Sequence, residues 1–303
     1  MMNSGAVPLQ IGTPAAEFAI DDALVAELIA EQHPDLAHLS LRAIDAGWDN
    51  ALFRLGDQLA VRLPRRAIAA PLIIHEQTWL PRLAVQLPLP IPAPVRVGTP
   101  VCGYPWHWSV VPWLPGEAAD QHAPDPAQAR PFAAFLRSLH RPAPSDAPAN
   151  SVRGGPLHER ARFTEARMQR LSNSTSLITP QIRQIWHAAL DAPLDAPPTW
   201  LHGDLHPRNV LVEHGTISGI IDWGDLTSGD TATDLAAIWM LFAEPHARQA
   251  ALAAYGALSE ATLRRARGWA VMFGVLLLDT GLIDNPRHAA IGEQTLCRLA
   301  EQR

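Results

Sequence analysis

His202-Gly203-Asp204-Leu205-His206-Pro207-Arg208-Asn209-Val210-Leu211-Val212, followed shortly by Ile220-Ile221-Asp222-Trp223-Gly224-Asp225, holds the densest chemistry in this chain. Val210 to Val212 and Ile217 to Ile221 are apolar and rich in β-branched residues, with the turn-like Glu213-His214-Gly215-Thr216 between them. Such a pattern predicts a β-hairpin. Folding it back brings Asn209 and Asp222 side by side.

The residue types suit one kind of reaction. An attacking alcohol loses its proton as it bonds phosphorus, and a carboxylate within hydrogen-bond reach accepts it, which gives Asp204 the chemistry of a general base. Mg²⁺ takes oxygen ligands from one or two carboxylates together with phosphates, and Asn209 and Asp222 supply such oxygens. An Asp, an Asn five residues on and a second Asp beyond a hairpin can hold a hydroxyl and a metal around a nucleotide's terminal phosphate. Taken singly, an Asp before a strand is an ordinary turn or cap residue, and His-Pro an ordinary bend.

The segment resembles the catalytic centre of the aminoglycoside phosphotransferase and choline kinase-like family, relatives of the protein kinases. In that family His-Gly-Asp-(four residues)-Asn stands where protein kinases have His-Arg-Asp-(four residues)-Asn, and Ile-Asp-Trp-Gly stands for Asp-Phe-Gly. The resemblance implies that Asp204 is the base, that Asn209 and Asp222 bind metal, and that His202 buttresses the loop. Gly229-Asp230 and Thr233-Asp234-Leu235-Ala236 are similar to a further family element, with Thr231 where proline is common. There Asp230 and Asp234 are expected to cap a helix and tie it to the catalytic loop, a supporting role that fits the N-cap preference of Asp.

The implied fold is α+β and bilobal, protein kinase-like: a small N-terminal antiparallel-sheet lobe over 1–111, a hinge at 112–117, and a larger, mainly helical lobe over 118–303. The implied cofactors are ATP, with GTP as the alternative, and Mg²⁺. The implied partner is a small molecule bearing a hydroxyl.

Composition agrees with an intracellular enzyme of two lobes. The chain has 303 residues, 48% of them hydrophobic, enough for a core in each lobe. A net charge of −6 gives no reason to expect a nucleic acid partner. Cys102 and Cys297 offer neither a disulfide framework nor a metal-ligand spacing, which suits a reducing cytoplasm. The first residues lack the basic and apolar segments of a signal peptide. The longest apolar run, Trp269 to Leu278, is too short to cross a bilayer. The oligomeric state is not legible.

In the N-terminal part, the acidic Asp21-Asp22 before Leu24, Val25, Leu28 and Ile29 predicts a helix ending near Pro34. Leu41 to Ile44, Ala51 to Leu55 and Leu59 to Leu63 read as strands. Gly47-Trp48-Asp49-Asn50 between the first two is an ordinary hairpin turn on sequence grounds; the resemblance makes it the phosphate-covering loop, with Asn50 a candidate phosphate contact.

The chain departs from the family at Arg62. The kinase-like fold carries a lysine on the third strand, held by a glutamate from the next helix. This sequence has no lysine at all: its 24 basic side chains are arginine. Arg62 is therefore expected to take over the lysine's task, with Glu76 from the helical segment Ala67 to Leu83 as partner. The alternative is an edge arginine clustered with Arg65 and Arg66 in a protein that binds nucleotide without turnover. Arginine still pairs bidentately with phosphate or carboxylate, with more bulk and stricter geometry.

Four prolines at alternate positions from Pro88 to Pro94 force an extended backbone. Strand-like Val95 to Val97 and Trp106 to Val111 follow, and Pro112-Trp113-Leu114-Pro115-Gly116-Glu117 breaks the pattern. By resemblance to the family hinge, backbone groups near Val111 and Trp113 read the adenine edge; otherwise Trp113 is core. Beyond, Phe132, Phe135, Leu136 and Leu139 have helical spacing, as do Leu157 to Leu171, Pro180 to Leu190, Thr233 to Phe242, Pro245 to Tyr255, Ser259 to Leu282 and His288 to Gln302. The acceptor pocket is expected among these. Asp225, Asp279 and Asp284 are the acidic residues that a polycationic aminoglycoside would use, although exposed acids are usually only solvated surface. A macrolide would instead need a broader apolar cavity, and a homoserine- or choline-like metabolite a smaller one.

Overall fold

The computed structural model describes residues 15–46 and 49–301, so Gly47 and Trp48 of the expected phosphate-covering turn lie outside the described residues. Helix α1 (Asp22–Gln32) opens the N-terminal part, with Asp21 as N-cap accepting from the Leu24 amide at 2.9 Å. Strands β1 (Leu41–Ala46), β2 (Asn50–Leu55) and β3 (Leu59–Pro64) form a meander. Helix α2 (Ala70–Ala84) crosses over, followed by β4 (Arg96–Gly98) and β5 (Trp108–Pro112). The sheet order is β1-β2-β3-β5-β4, antiparallel throughout. Alternation along β2 turns Ala51, Phe53 and Leu55 inward, where they pack with Val25, Leu28 and Ile29 of α1 and with Trp108.

The C-terminal part begins with a two-residue strand, β6 (Glu117–Ala118), which pairs with β8 (Val210–Glu213); β9 (Thr216–Ile220) completes that sheet. Helices α3 (Ala129–Leu139), α4 (Ala161–Ser172) and α5 (Pro180–Leu190) come between. Strand β7 (Thr199–Leu201) leads into the His202–Asn209 loop and pairs with β10 (Thr227–Gly229). The predicted helix Thr233 to Phe242 is divided at Ala236 into α6 (Ala232–Leu235) and α7 (Ala237–Leu241). Helices α8 (Pro245–Tyr255), α9 (Glu260–Asp284) and α10 (Pro286–Ala300) finish the chain.

By length and composition α9 could cross a membrane, but 67% of its most apolar window is buried inside the molecule, as in a core helix. The second hydrophobic cluster centres on this helix and on α3, whose Phe132, Phe135, Leu136 and Leu139 are all 1% exposed or less. Each such side chain contributes about 1.5–3 kcal/mol on burial. Trp79, Leu80 and Leu83 of α2 and Ile91 of the proline-rich link join this cluster. The link is pinned where the Ile220 amide donates to the Pro90 carbonyl at 3.0 Å. The two parts are thereby joined by packing as well as by the chain at 112–117.

Candidate active site

The loop that carries Asp204 is held from behind. Both oxygens of the buried Asp234 are occupied: Oδ2 accepts from the His202 amide at 2.7 Å and Oδ1 from the Gly203 amide at 2.9 Å. Hydrogen bonds to an ionised acceptor are the strong kind. Asp234 thus ties its helix to the loop, and His140 Nε2 lies 3.3 Å from its Oδ2. Asp230 accepts from the Ala232 amide at 3.2 Å and pairs with Arg265 on α9, the Arg265 Nε lying 2.7 Å away. Gly203 has φ +86°, and a side chain there would meet the Asp225 carbonyl. Glycine is the residue that accepts such a conformation without cost.

His202 Nε2 donates to the Ile221 carbonyl at 2.9 Å, which leaves Nδ1 to accept from the Asp204 amide at 3.3 Å. Its ring lies 4.7 Å from that of Trp223, which is fully buried and donates to the Ile220 carbonyl at 3.0 Å. One histidine thus couples the loop to the Asp222 turn. Asp222 itself has φ +61°, a conformation unusual for any residue but glycine. Its carboxylate is 58% exposed.

Asn209 stands between the two aspartates. Its Nδ2 donates to the Asp204 carbonyl at 2.8 Å and its own carbonyl accepts from the Ile221 amide at 2.9 Å. With the amide nitrogen turned to Asp204, the amide oxygen is left for another partner. Among the described residues no group of three or more His, Cys, Asp or Glu side chains could hold a metal by itself. One carboxylate and one amide oxygen, with phosphates completing the shell, is the donor set that Mg²⁺ takes.

Asp204 is surrounded by donors. Arg153 Nη2 donates to Oδ1 at 2.8 Å, while His206 Nε2 lies 3.3 Å from Oδ2. Burial alone would raise this carboxyl; the charge of Arg153, then that of His206, outweighs it and holds Asp204 well below the usual carboxylate range. Asp225 moves the other way, raised by burial and then by the charge of Asp204. Its Oδ1 accepts from Asn150 Nδ2 at 2.6 Å.

On the sheet side, Arg62 Nη1 pairs with Glu76 Oε2 at 2.8 Å, both side chains buried, and Nη2 reaches Asp222 Oδ1 at 3.5 Å. Arg62 thus has the glutamate partner expected of it rather than an edge position. Burial lifts the Glu76 carboxyl to about 7 against the pull of Arg62. Asn50 faces Pro64 across the ladder, with its Oδ1 buried and unpartnered. At the end of β5, Val111 faces Ala60 in the ladder, and the Trp113 amide donates to the Gln58 carbonyl at 2.7 Å. The Trp113 ring is covered by the Arg54 guanidinium at 4.0 Å. The amide and ring of Trp113 are therefore engaged within the sheet lobe.

Sequence reasoning missed Arg153, Asn150 and His206. The first two lie in a Pro/Ala/Ser-rich connection with no motif. His206 looked like half of a bend.

A two-lobed α+β fold whose loop carries Asp204 and Asn209 beside Asp222 defines the kinase-like phosphotransferase class. Within it, this chain belongs to the Phosphotransferase enzyme family, which matches residues 40–269. No curated protein matches the chain. Among solved structures it is similar to the GDP complex of wild-type aminoglycoside 2'-phosphotransferase-IIIa, with TM-score 0.68, 18% identity, and coverage of 94% of this chain and 100% of that one. It is also similar to the macrolide 2'-phosphotransferase MphH from Brachybacterium faecium, an apoenzyme, with TM-score 0.60, 22% identity, and coverage of 90% and 97%. The ADP-bound aminoglycoside phosphotransferase APH(2'')-Ib gives TM-score 0.59 and 18% identity, covering 93% of this chain and 99% of its own.

Proposed function

We propose that the protein transfers the γ-phosphoryl group of ATP, with GTP as the alternative donor, to a hydroxyl of a small molecule, with Mg²⁺ held by Asn209 and Asp222. The hydrogen bonds of Asn209 to the Asp204 carbonyl and from the Ile221 amide support this reading best, because they hold the Asn209 segment against both the Asp204 loop and the residue before Asp222. Of the similar structures, one is a GDP complex and another is ADP-bound, which supports a purine nucleotide donor.

Asp204 accepts the proton of the acceptor hydroxyl. The freed oxygen pair forms the new bond to γ-phosphorus as the bond to the bridging oxygen breaks, and the nucleoside diphosphate leaves with that oxygen's electrons. His206, donating to the second oxygen of Asp204, fixes the direction of the carboxylate. Arg62, held by Glu76, is suited to the non-transferred phosphates, and a divalent cation would neutralise the phosphate oxygens. Asn50, with its orphaned buried oxygen, lies on the strand that follows the phosphate-covering turn.

The test follows ADP release from ATP and Mg²⁺ across a panel of hydroxyl compounds. Asp204→Ala should lower turnover by roughly 10²–10⁴-fold with nucleotide affinity retained; a smaller loss removes Asp204 from the role of base. A nucleotide-binding module without turnover is the second reading, favoured by Arg62 in place of lysine. Nucleotide affinity in the wild type without ADP release at any acceptor would select it.

A further inference from the structure

Arg153 presents a fixed positive charge to Asp204. Its loop is tied down at three points: the Pro148 carbonyl accepts from Thr227 Oγ1 at 3.0 Å, Asn150 Nδ2 donates to Asp225, and the Gly154 carbonyl accepts from the Asp230 amide at 2.9 Å. Asn150 Oδ1 accepts from the Val152 and Arg153 amides at 2.8 and 3.1 Å, which sets the turn that aims Arg153 inward. Gly154 packs so closely on Gly229 that a side chain at Gly229 would overlap the Gly154 backbone. The Arg153 guanidinium lies 5.0 Å over the Phe273 ring, and the side chain is only 14% exposed.

The carboxylates around it are already engaged. Arg153 holds Asp204 at 2.8 Å and brings Nε to 3.8 Å from Asp225 Oδ2; Asn150 takes the other Asp225 oxygen. Asp279, further along α9, is gripped by Arg170 through Nε at 3.2 Å and Nη2 at 2.6 Å, with Arg167 at 3.4 Å. Two of the three acids that a cationic aminosugar would use are thus covered by arginine, and the third, Asp284, stands exposed at the end of α9. Arg153 Nε and Arg167 Nε make these ion-pair contacts without a hydrogen bond.

We propose that Arg153 is a specificity-determining residue that selects hydroxyl acceptors carrying a carbonyl or carboxylate oxygen beside the reacting hydroxyl and rejects acceptors carrying an ammonium there. The proposal rests on the kinase reading of Asp204. An acceptor hydroxyl that reaches Asp204 must share or displace the Arg153 contact, and the guanidinium then needs another oxygen, which the substrate itself supplies. An ammonium in that position meets a like charge instead, and discrimination by an unfavourable contact is as effective as discrimination by a favourable one.

Kanamycin serves as the cationic probe, its binding to the nucleotide-free protein measured by calorimetry at low salt. Wild type should bind weakly, and Arg153→Ala and Arg153→Gln, which free the Asp204 and Asp225 carboxylates, about two- to fivefold more tightly, the scale of one partly exposed ion pair. Arg153→Lys, which keeps the charge, should stay near wild type. Wild-type binding as tight as that of the neutral variants, phosphorylation of kanamycin by wild type, or an Arg153→Lys protein that behaves like Arg153→Ala would each overturn the proposal. Failure of the kinase reading shows separately, as absence of ADP release at every acceptor, since the kanamycin measurement needs no nucleotide.

Discussion

Glu76 lies 1% exposed beside Arg62, so its protonation state governs how firmly that arginine is held. A free glutamate titrates near 4.5, whereas burial lifts this one to about 7, with the nearby Asp222 charge adding to the lift. The sign follows directly. Between those values the folded protein keeps Glu76 protonated while the unfolded chain does not, so its contribution to folding is lost as pH rises through about 7. The Arg62 ion pair strengthens over the same rise. Affinity for Mg-nucleotide should therefore fall several-fold from about pH 8 to about pH 6 in the wild type, and Glu76→Gln should flatten that dependence. A titration of nucleotide binding against pH in both proteins decides it; equal slopes would detach Glu76 from the nucleotide site.

At the scale of elements, the α9–α10 pair shows packing overriding helix propensity. Gly292 lies against the Gly274 carbonyl and the Leu278 amide, each about 2.5 Å from where a side-chain carbon would stand. Alanine at a helix interior is favoured over glycine by about 1 kcal/mol. Overpacking against backbone costs typically about 1–3 kcal/mol, and backbone, unlike a side chain, cannot turn aside. Gly292→Ala should accordingly lower the melting midpoint by several degrees; a rise would mean that α10 shifts freely on α9. Apolar spacing carries on through Ala236, where the structure divides the helix although the backbone of Ala236 stays helical.

For the molecule as a whole, Arg62 of the sheet lobe reaches Asp222 of the helical part, so a metal and a nucleotide bound there would contact both bodies at once. A ligand that binds only the folded state stabilises it by RT ln(1 + [L]/Kd), about 2.7 kcal/mol at a hundredfold excess over Kd. ATP with Mg²⁺ should raise the melting midpoint by several degrees, and chelating the metal should remove most of that rise. Asp222→Ala should lose the metal-dependent part alone. A shift that ignores the chelator would remove Asp222 from metal binding.

Sequence by itself determined the hairpin after Asn209, the three-stranded meander and the amphipathic helices, because these obey short-range rules of periodicity and turn chemistry. It also singled out Asp204, Asn209 and Asp222, since that trio sits within one short segment. Only the tertiary structure decided that Arg54 covers the Trp113 ring, that His140 joins Asp234 behind the loop, and that Arg153 faces Asp204. Arg153 is 51 residues from Asp204 along the chain, in a connection without pattern, and its partner is set by how that connection lies on β10. A charge pair of that kind has no period and no spacing: it depends on where two backbones come to rest, which long-range packing alone fixes.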